Sequence, residues 1–177
     1  MGALRESVEN TNGTGPEGGW PTHSRTLGLL ARGKNINPET LLATDYLNHF
    51  NEIVMLIDMV PTMLGCLDDA KAWAPKSYEQ HFQDSAFTDK DLAVLAYLNA
   101  PTRFREPFDE TVAVMNVLVA EGLVAIEAAI ATDEAGRIEL AVSRVSRSLQ
   151  SRIDTCSAII NGQAGKMDQS GVDALFD

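Results

Sequence analysis

The chain has 177 residues, of which 45% are hydrophobic and only 6% aromatic, so it carries enough apolar material for one core of ordinary domain size. Its formal net charge of −11 argues against nucleic acid as the main partner, because phosphate binding requires a concentrated basic face. The same charge disfavours an anionic membrane surface. Alanine, leucine, valine, isoleucine and methionine are plentiful, which favours helices over a β-sandwich.

The cysteines and the absence of targeting signals predict a cytoplasmic protein without a cofactor. Cys66 and Cys156 both lie inside apolar helical patterns, as small buried residues of a reducing compartment do. The sequence shows neither the basic and apolar regions of a signal peptide nor a run of about 20 apolar residues. We therefore expect no membrane insertion.

Residues 1–36 differ in composition from the rest of the chain. The stretch NTNGTGPEGGWP is rich in glycine, asparagine, threonine and proline, and it offers little apolar surface for burial. We expect residues 1–36 to form a disordered N-terminal arm, in which Leu27, Leu29 and Leu30 are available for docking.

Residues 37–161 are predicted to form an all-α bundle of about four main helices with short connecting helices. Asn37 followed by Pro38 is a typical helix start, and Ser77 can cap a short helix further along. Pro101 and Pro107 each disfavour helix in the preceding residue, so the next long helix is expected to begin at Pro107. The predicted helices span residues 38–60, 61–73, 78–84, 89–98 and 107–131, followed by a last helix that contains residues 138–160.

The last predicted helix carries the most regular apolar pattern. Apolar residues recur at steps of four and three from Ile138 to Ile160, the spacing of an a/d seam. The seam could lie within the bundle or form a homodimer interface, so a self-associating helical scaffold is one predicted function. The outer face of this helix holds Glu139, Arg144, Arg147, Arg152 and Asp154.

Few residues have a spacing that indicates catalysis or metal binding. Asp45, His49 and Glu52 share one helix face, but a di-iron bundle needs a Glu-x-x-His motif on each of two helices, and the sequence contains none. We therefore predict no metal site and no catalytic residue. Arg103 and Arg105 could bind an anion, or they could belong to a turn whose neighbouring phenylalanines dock into the core.

Residues 162–177 have the pattern of a linker followed by a short amphipathic helix. The helix-stop signal Asn161-Gly162 marks the start of the linker, and Val172, Leu175 and Phe176 then fall at i, i+3 and i+4 on one face. So short a helix is not stable alone, so its apolar residues must dock on the chain itself or in a groove of a partner.

The stretch MDQSGVDALF, residues 167–176, resembles the element (L/M)SQ-x-x-(I/V)-D-x-L-(L/F) at the N-terminus of flagellar motor switch proteins. In that family the element is disordered and folds into a helix on the phosphorylated chemotaxis response regulator. The chemotaxis phosphatase carries a related helix at its C-terminus, after a linker. The resemblance implies that a response regulator or flagellar switch protein is bound by Asp168, Gln169, Val172, Asp173, Leu175 and Phe176.

This resemblance predicts a non-enzymatic adaptor of a bacterial signalling or motility system. The sequence departs from the pattern at Gly171, which costs the helix about 1 kcal/mol relative to alanine, and at Asp168, which replaces the usual serine cap. The phosphatase family acts through an Asp-x-x-x-Gln pair on a bundle helix, and the nearest match here is Glu79-x-x-x-Gln83. An auxiliary phosphatase of a phosphorylated response regulator is therefore a further alternative.

Overall fold

The structure is a computed structural model that describes residues 21–163, and within this range every regular element is a helix. The predicted all-α class is confirmed. Two long helices, α6 and α7, form a hairpin, and the shorter helices surround its base. In chain order the elements are α1 (Pro21–Ala31), a 3₁₀ helix (Thr44–Leu47), α2 (Asn48–Met59), α3 (Cys66–Ala72), α4 (Tyr78–Asp84), α5 (Lys90–Leu98), α6 (Thr102–Ile130) and α7 (Ala135–Ile160).

Helix α1 shows that the predicted disordered arm is wrong for residues 21–36. Leu27 and Ala31, one helical turn apart, are both buried, and α1 packs against α5. The hydroxyl of Ser24 also donates to the carbonyl of Asn99 at 3.3 Å. The short apolar stripe gives this segment a surface to bury, a feature that the average composition of the region hides. Residues 1–20 lie outside the described range.

The predicted helix over residues 38–60 is divided near its start. The Asn37 side chain caps a turn as expected, accepting hydrogen bonds from the backbone N–H groups of Glu39 and Thr40. The turn stops at Leu41, whose φ of 61° is incompatible with continuing a right-handed helix. Regular helix resumes only at Thr44. This kink buries the side chain of Leu41, which compensates for the strained backbone.

The structure also corrects two predictions of helix starts that were based on prolines. Pro61 does not start a helix, since residues 61–65 form turns and α3 begins at Cys66. Conversely, α6 begins at Thr102 and contains Pro107 within it. Phe104 and Phe108 lie one turn apart and are both buried, so core packing favours helix across the proline.

Other local predictions agree with the structure. Ser77 and Gln80 form a reciprocal capping box at the start of α4, which spans the predicted residues. At the end of α7, Gly162 has a φ of 76°, and the N–H groups of Gly162 and Gln163 bond the carbonyls of Ile159 and Ala158. This is a Schellman stop. The predicted helix-stop signal is therefore confirmed.

The base of the bundle holds an aromatic core. The rings of Tyr46 and Phe108 lie 5.7 Å apart, and Tyr78 stacks on Tyr97 with centroids 4.3 Å apart. The Tyr78 hydroxyl also accepts a hydrogen bond from the Ala43 N–H at 2.8 Å. This core fixes α4, α5 and the start of α6 around the 3₁₀ helix.

Candidate protein-interaction surface on the two longest helices

Helix α6 exposes a face that is largely apolar over residues 113–128, with the exposed Glu121 within it and the exposed Glu127 at its edge. Its buried side is formed by Met115, Val119, Gly122 and Ile126, which recur at steps of four, three and four. On the opposite side Val114, Val117 and Val124 are 42%, 54% and 67% exposed. We call the exposed apolar residues of this side the α6 outer face: Ala113, Val114, Val117, Ala120, Val124, Ala125 and Ala128.

This face is exposed because only one side of α6 is covered. Helix α7 packs along α6 more extensively than any other pair of helices in the described residues pack together. The two backbones approach closely at Gly122, where an added Cβ would lie 2.5 Å from Cγ1 of Val145. The seam of α7 is therefore filled from within the chain, by α6 and α2. Among residues 21–163 no helix covers the outer face of α6 in this way.

A groove with a different chemistry runs between α6 and α7. It has a volume of about 620 Å³, and its α6 side is formed by Val114 and Leu118. None of the arginines on its α7 side forms an ion pair among the described residues, although the chain carries an excess of acidic groups. We define the α6–α7 groove by its lining residues Val114, Leu118, Arg144, Arg147, Ser148, Ser151 and Arg152.

A second exposed apolar patch lies at the end of α2. Met55 and Met59 are one turn apart and are 57% and 38% exposed, and Met63 and Leu64 follow in the next turns with more than half of each side chain exposed. Methionine adapts its shape to different partners, so patches of this composition occur at binding surfaces.

The residues considered for metal binding lie in different environments, some buried and some exposed. His49 is buried, its ring stacks on Trp73 at 4.4 Å, and its Nε2 has no hydrogen-bond partner. The pKa of His49 is lowered to about 4, mainly by burial and to a smaller extent by nearby His81 and Lys76. Glu52, by contrast, is exposed. Within residues 21–163 no three His, Cys, Asp or Glu side chains lie close enough to hold a metal ion.

An aromatic cavity of about 260 Å³ lies beside the core, and most of its polar groups bond one another. The Tyr97 hydroxyl donates to Oδ1 of Asp109 at 2.9 Å, and the Tyr46 hydroxyl donates to the Lys76 carbonyl at 2.8 Å. Burial raises the pKa of Tyr97 to about 12 and raises the pKa of Asp109 as well. The cavity also contains Asn116, whose buried Oδ1 is unpaired. These contacts hold the base of the bundle together.

The remaining predicted residues lie apart from the α6 outer face. Arg103 stacks over the Phe104 ring at 4.7 Å, and Arg105 donates to the Leu98 carbonyl at 3.3 Å. Both belong to the first turns of α6, whose phenylalanines enter the core, rather than to the predicted turn between helices. Glu79 and Gln83 lie on the seven-residue helix α4, with Gln83 exposed. The predicted docking residues 168–177 lie outside the described range.

Sequence reasoning missed the α6 outer face, although a signal was present. The stretch AVMNVLVAEGLVAIEAAI, residues 113–130, is apolar on every side of a helix and contains only two charged residues. By length and composition α6 is the one described helix that could cross a bilayer, yet only 22% of its most apolar window is buried. An apolar helix with so little cover indicates an unfilled interface.

Comparison with known proteins gives no relative from which a function can be transferred. No family model, no curated protein and no solved structure matches this chain. The fold and its surface define an all-α bundle with an exposed apolar helix face.

Proposed function

We propose that this protein is a non-enzymatic adaptor of a bacterial signalling or motility system. It binds one partner protein through the α6 outer face and presents its C-terminal segment to a chemotaxis response regulator or flagellar switch protein. The adaptor acts in the cytoplasm, without a cofactor and without binding nucleic acid.

The observation that carries this proposal is the exposure of the α6 outer face. Monomeric soluble proteins rarely leave a contiguous apolar strip of several helical turns in water, and such strips mark interaction sites. Alanine and valine dominate the strip, so a second helix can approach its backbone closely. We therefore expect the partner to offer a helix with its own apolar stripe.

The neighbouring charges favour a protein partner over a bilayer. Helix α7, which packs along α6, carries the exposed residues Arg144, Arg147 and Arg152. A hydrocarbon environment around the hairpin would have to accommodate these guanidinium groups, at roughly 2.5–3.5 kcal/mol each near the bilayer centre. Glu127 of α6 also forms an ion pair with Lys71 of α3. A protein surface can match this mixture of charged and apolar groups.

The proposed role of the C-terminal segment rests on its resemblance to the response-regulator-binding element. Val172, Leu175 and Phe176 would fill a hydrophobic groove of the regulator, and Asp173 would supply a polar contact. Burial of three such side chains contributes roughly 5 kcal/mol in total, at about 1.5–3 kcal/mol each, before the cost of ordering the segment. We expect micromolar affinity.

A calorimetric titration tests this half of the proposal. A response regulator, phosphorylated or unphosphorylated, is titrated into the full chain and into a Leu175→Ala/Phe176→Ala variant. We expect binding by the full chain and at least a tenfold loss in the variant. A Leu29→Ala/Leu30→Ala variant, which removes two exposed leucines of α1, serves as the matched control. Equal affinity of all three proteins would refute the assigned role of the segment.

Self-association is a second candidate function, and the α6 outer face favours it specifically. The α7 seam is already filled within the chain, so a homodimer would form through α6 instead. Sedimentation velocity of the full chain and of a Val117→Asp/Val124→Asp variant distinguishes the two functions. A dimer that dissociates in the variant supports self-association, whereas a monomer in both proteins leaves the face free for another partner.

A further inference from the structure

The α6–α7 groove has the chemistry of a site for an acidic amphipathic helix. Its floor on α6 is apolar, with Val114 42% exposed, and the opposite wall carries three guanidinium groups. Arg147 uses its Nε to bond the carbonyl of Ser143 one turn earlier, which leaves its terminal nitrogens for another acceptor. Arginine binds carboxylates in paired hydrogen bonds, so aspartate or glutamate side chains are the preferred ligands of such a wall.

The C-terminal segment of the same chain carries the complementary pattern. Read from the C-terminal end of α7, the groove arginines are five and then three residues apart, or about 7.5 and 4.5 Å along the helix axis. Aspartates of the segment are five and then four residues apart, or about 7.5 and 6 Å if it is helical. On a helical segment Asp173 and Asp177, which are four residues apart, share a face, so the corresponding pairs would be Arg147 with Asp173 and Arg144 with Asp177.

The chain between α7 and the segment is long enough for this contact. Helix α7 ends at Ile160, eight residues beyond Arg152, which corresponds to a distance of about 12 Å along the axis. The residues between Gln163 and Asp168 can span about 17 Å when extended. The segment would therefore reach the groove by turning back along α7, and it would run antiparallel to that helix.

We propose that residues 168–177 dock intramolecularly in the α6–α7 groove, and that this contact competes with binding of the response regulator. The competition rests on the proposed function of the segment, whereas the docking does not. Val172, Leu175 and Phe176 would cover the apolar floor in the docked state. The same side chains are needed by the regulator, so only the undocked fraction of the protein can bind it.

Nuclear magnetic resonance relaxation of the full chain tests the docking. Backbone order parameters of residues 170–176 should exceed about 0.8, as in the bundle, when the segment is docked, and fall below about 0.6 when it is free. Arg144→Glu/Arg147→Glu should release the segment. Adding Asp173→Arg/Asp177→Arg to that variant restores opposite charges across the groove and should return the order parameters to the docked value.

A matched control separates the groove from the general effect of charge. Arg25→Glu/Arg32→Glu makes the same change in net charge at two exposed positions, one in α1 and one directly after it, and should leave the segment docked. Order parameters below about 0.6 in the unmodified chain would overturn the proposal. So would a docked segment that is insensitive to charge reversal in the groove, or docking that disappears on dilution and hence involves a second molecule.

Titration with the response regulator distinguishes failure of this inference from failure of the proposed function. If nine-tenths of the molecules are docked, releasing the segment with Arg144→Glu/Arg147→Glu should tighten regulator binding about tenfold. Unchanged regulator affinity together with a free segment would refute the docking and leave the adaptor function intact. No regulator binding by any variant, together with a docked segment, would refute the adaptor function and the competition but not the intramolecular contact.

Discussion

The base of the bundle buries its apolar side chains, whereas the far half of the α6–α7 hairpin leaves many of them exposed. At the base, Tyr46, Phe50 and Phe108 are buried to within 1% of their surface, and tyrosine hydroxyls bond backbone groups inside the core. On the hairpin, the valines of the α6 outer face remain in water although the helix is equally apolar. Burial thus separates the residues that stabilise the fold from those available for binding.

The largest expected effect distinguishes these two regions directly. Phe108→Ala removes a buried ring that contacts Tyr46 and Tyr78 in the aromatic core, and we expect a loss of about 3–5 kcal/mol in the free energy of unfolding. Val124→Ala on the outer face removes side-chain atoms that are mostly in water, and it should change stability by less than about 0.5 kcal/mol. Denaturant unfolding measures both. Similar losses would show that the outer face is part of the core.

Acid should destabilise the base through His49. Its pKa is lowered to about 4 in the folded protein, so the unfolded chain takes up a proton that the folded chain does not as the pH falls below about 6.5. This contribution to stability is present above pH 6.5 and is lost between about pH 6.5 and 4, with a total of roughly 2–3 kcal/mol.

The free energy of unfolding of a His49→Phe variant, measured between about pH 6.5 and 4, tests whether His49 causes this loss of stability. Phenylalanine keeps a ring against Trp73 but does not titrate, so the dependence of stability on pH should become shallower. His81, whose pKa burial also lowers, contributes to the slope that remains. An identical pH dependence in both proteins would contradict the role assigned to His49.

A smaller effect tests how tightly the hairpin is closed. Gly122→Ala places a methyl group against both Cγ atoms of Val145, so rotation of that side chain cannot relieve the contact. We expect a net loss of about 1–2 kcal/mol, because overpacking outweighs the better helix propensity of alanine. Gly136→Ala in α7 meets no atom within 4 Å and should instead stabilise the helix slightly. Thermal unfolding of the two variants should therefore shift in opposite directions.

The smallest expected effect lies on the α6 outer face itself. Val117→Asp/Val124→Asp should leave the melting temperature nearly unchanged, because both side chains are more than half exposed. Leu29→Asp/Leu30→Asp on α1 is the matched change at similarly exposed leucines. A strong loss of stability confined to the α6 variant would indicate that its valines are buried in solution, for example between two copies of the chain.

The sequence predicted what local chemistry controls and missed what depends on packing. The Ser77 capping box, the Gly162 stop and the α7 seam each follow from residues close together in the chain. The turn at Leu41 and the helical path through Pro107 depend on distant side chains that bury them. The α6 outer face could not be assigned to solvent from its pattern, because a helix that is apolar on all sides usually lies at the centre of a fold.

The most direct test of the two-surface adaptor is a pull-down from cell extract with three forms of the 177-residue chain. The forms are the unmodified chain, Val117→Asp/Val124→Asp and Leu175→Ala/Phe176→Ala. We predict that the C-terminal variant loses a response regulator or switch protein and retains a second protein, and that the α6 variant shows the reverse. Recovery of the same proteins by all three forms would contradict the proposed adaptor function.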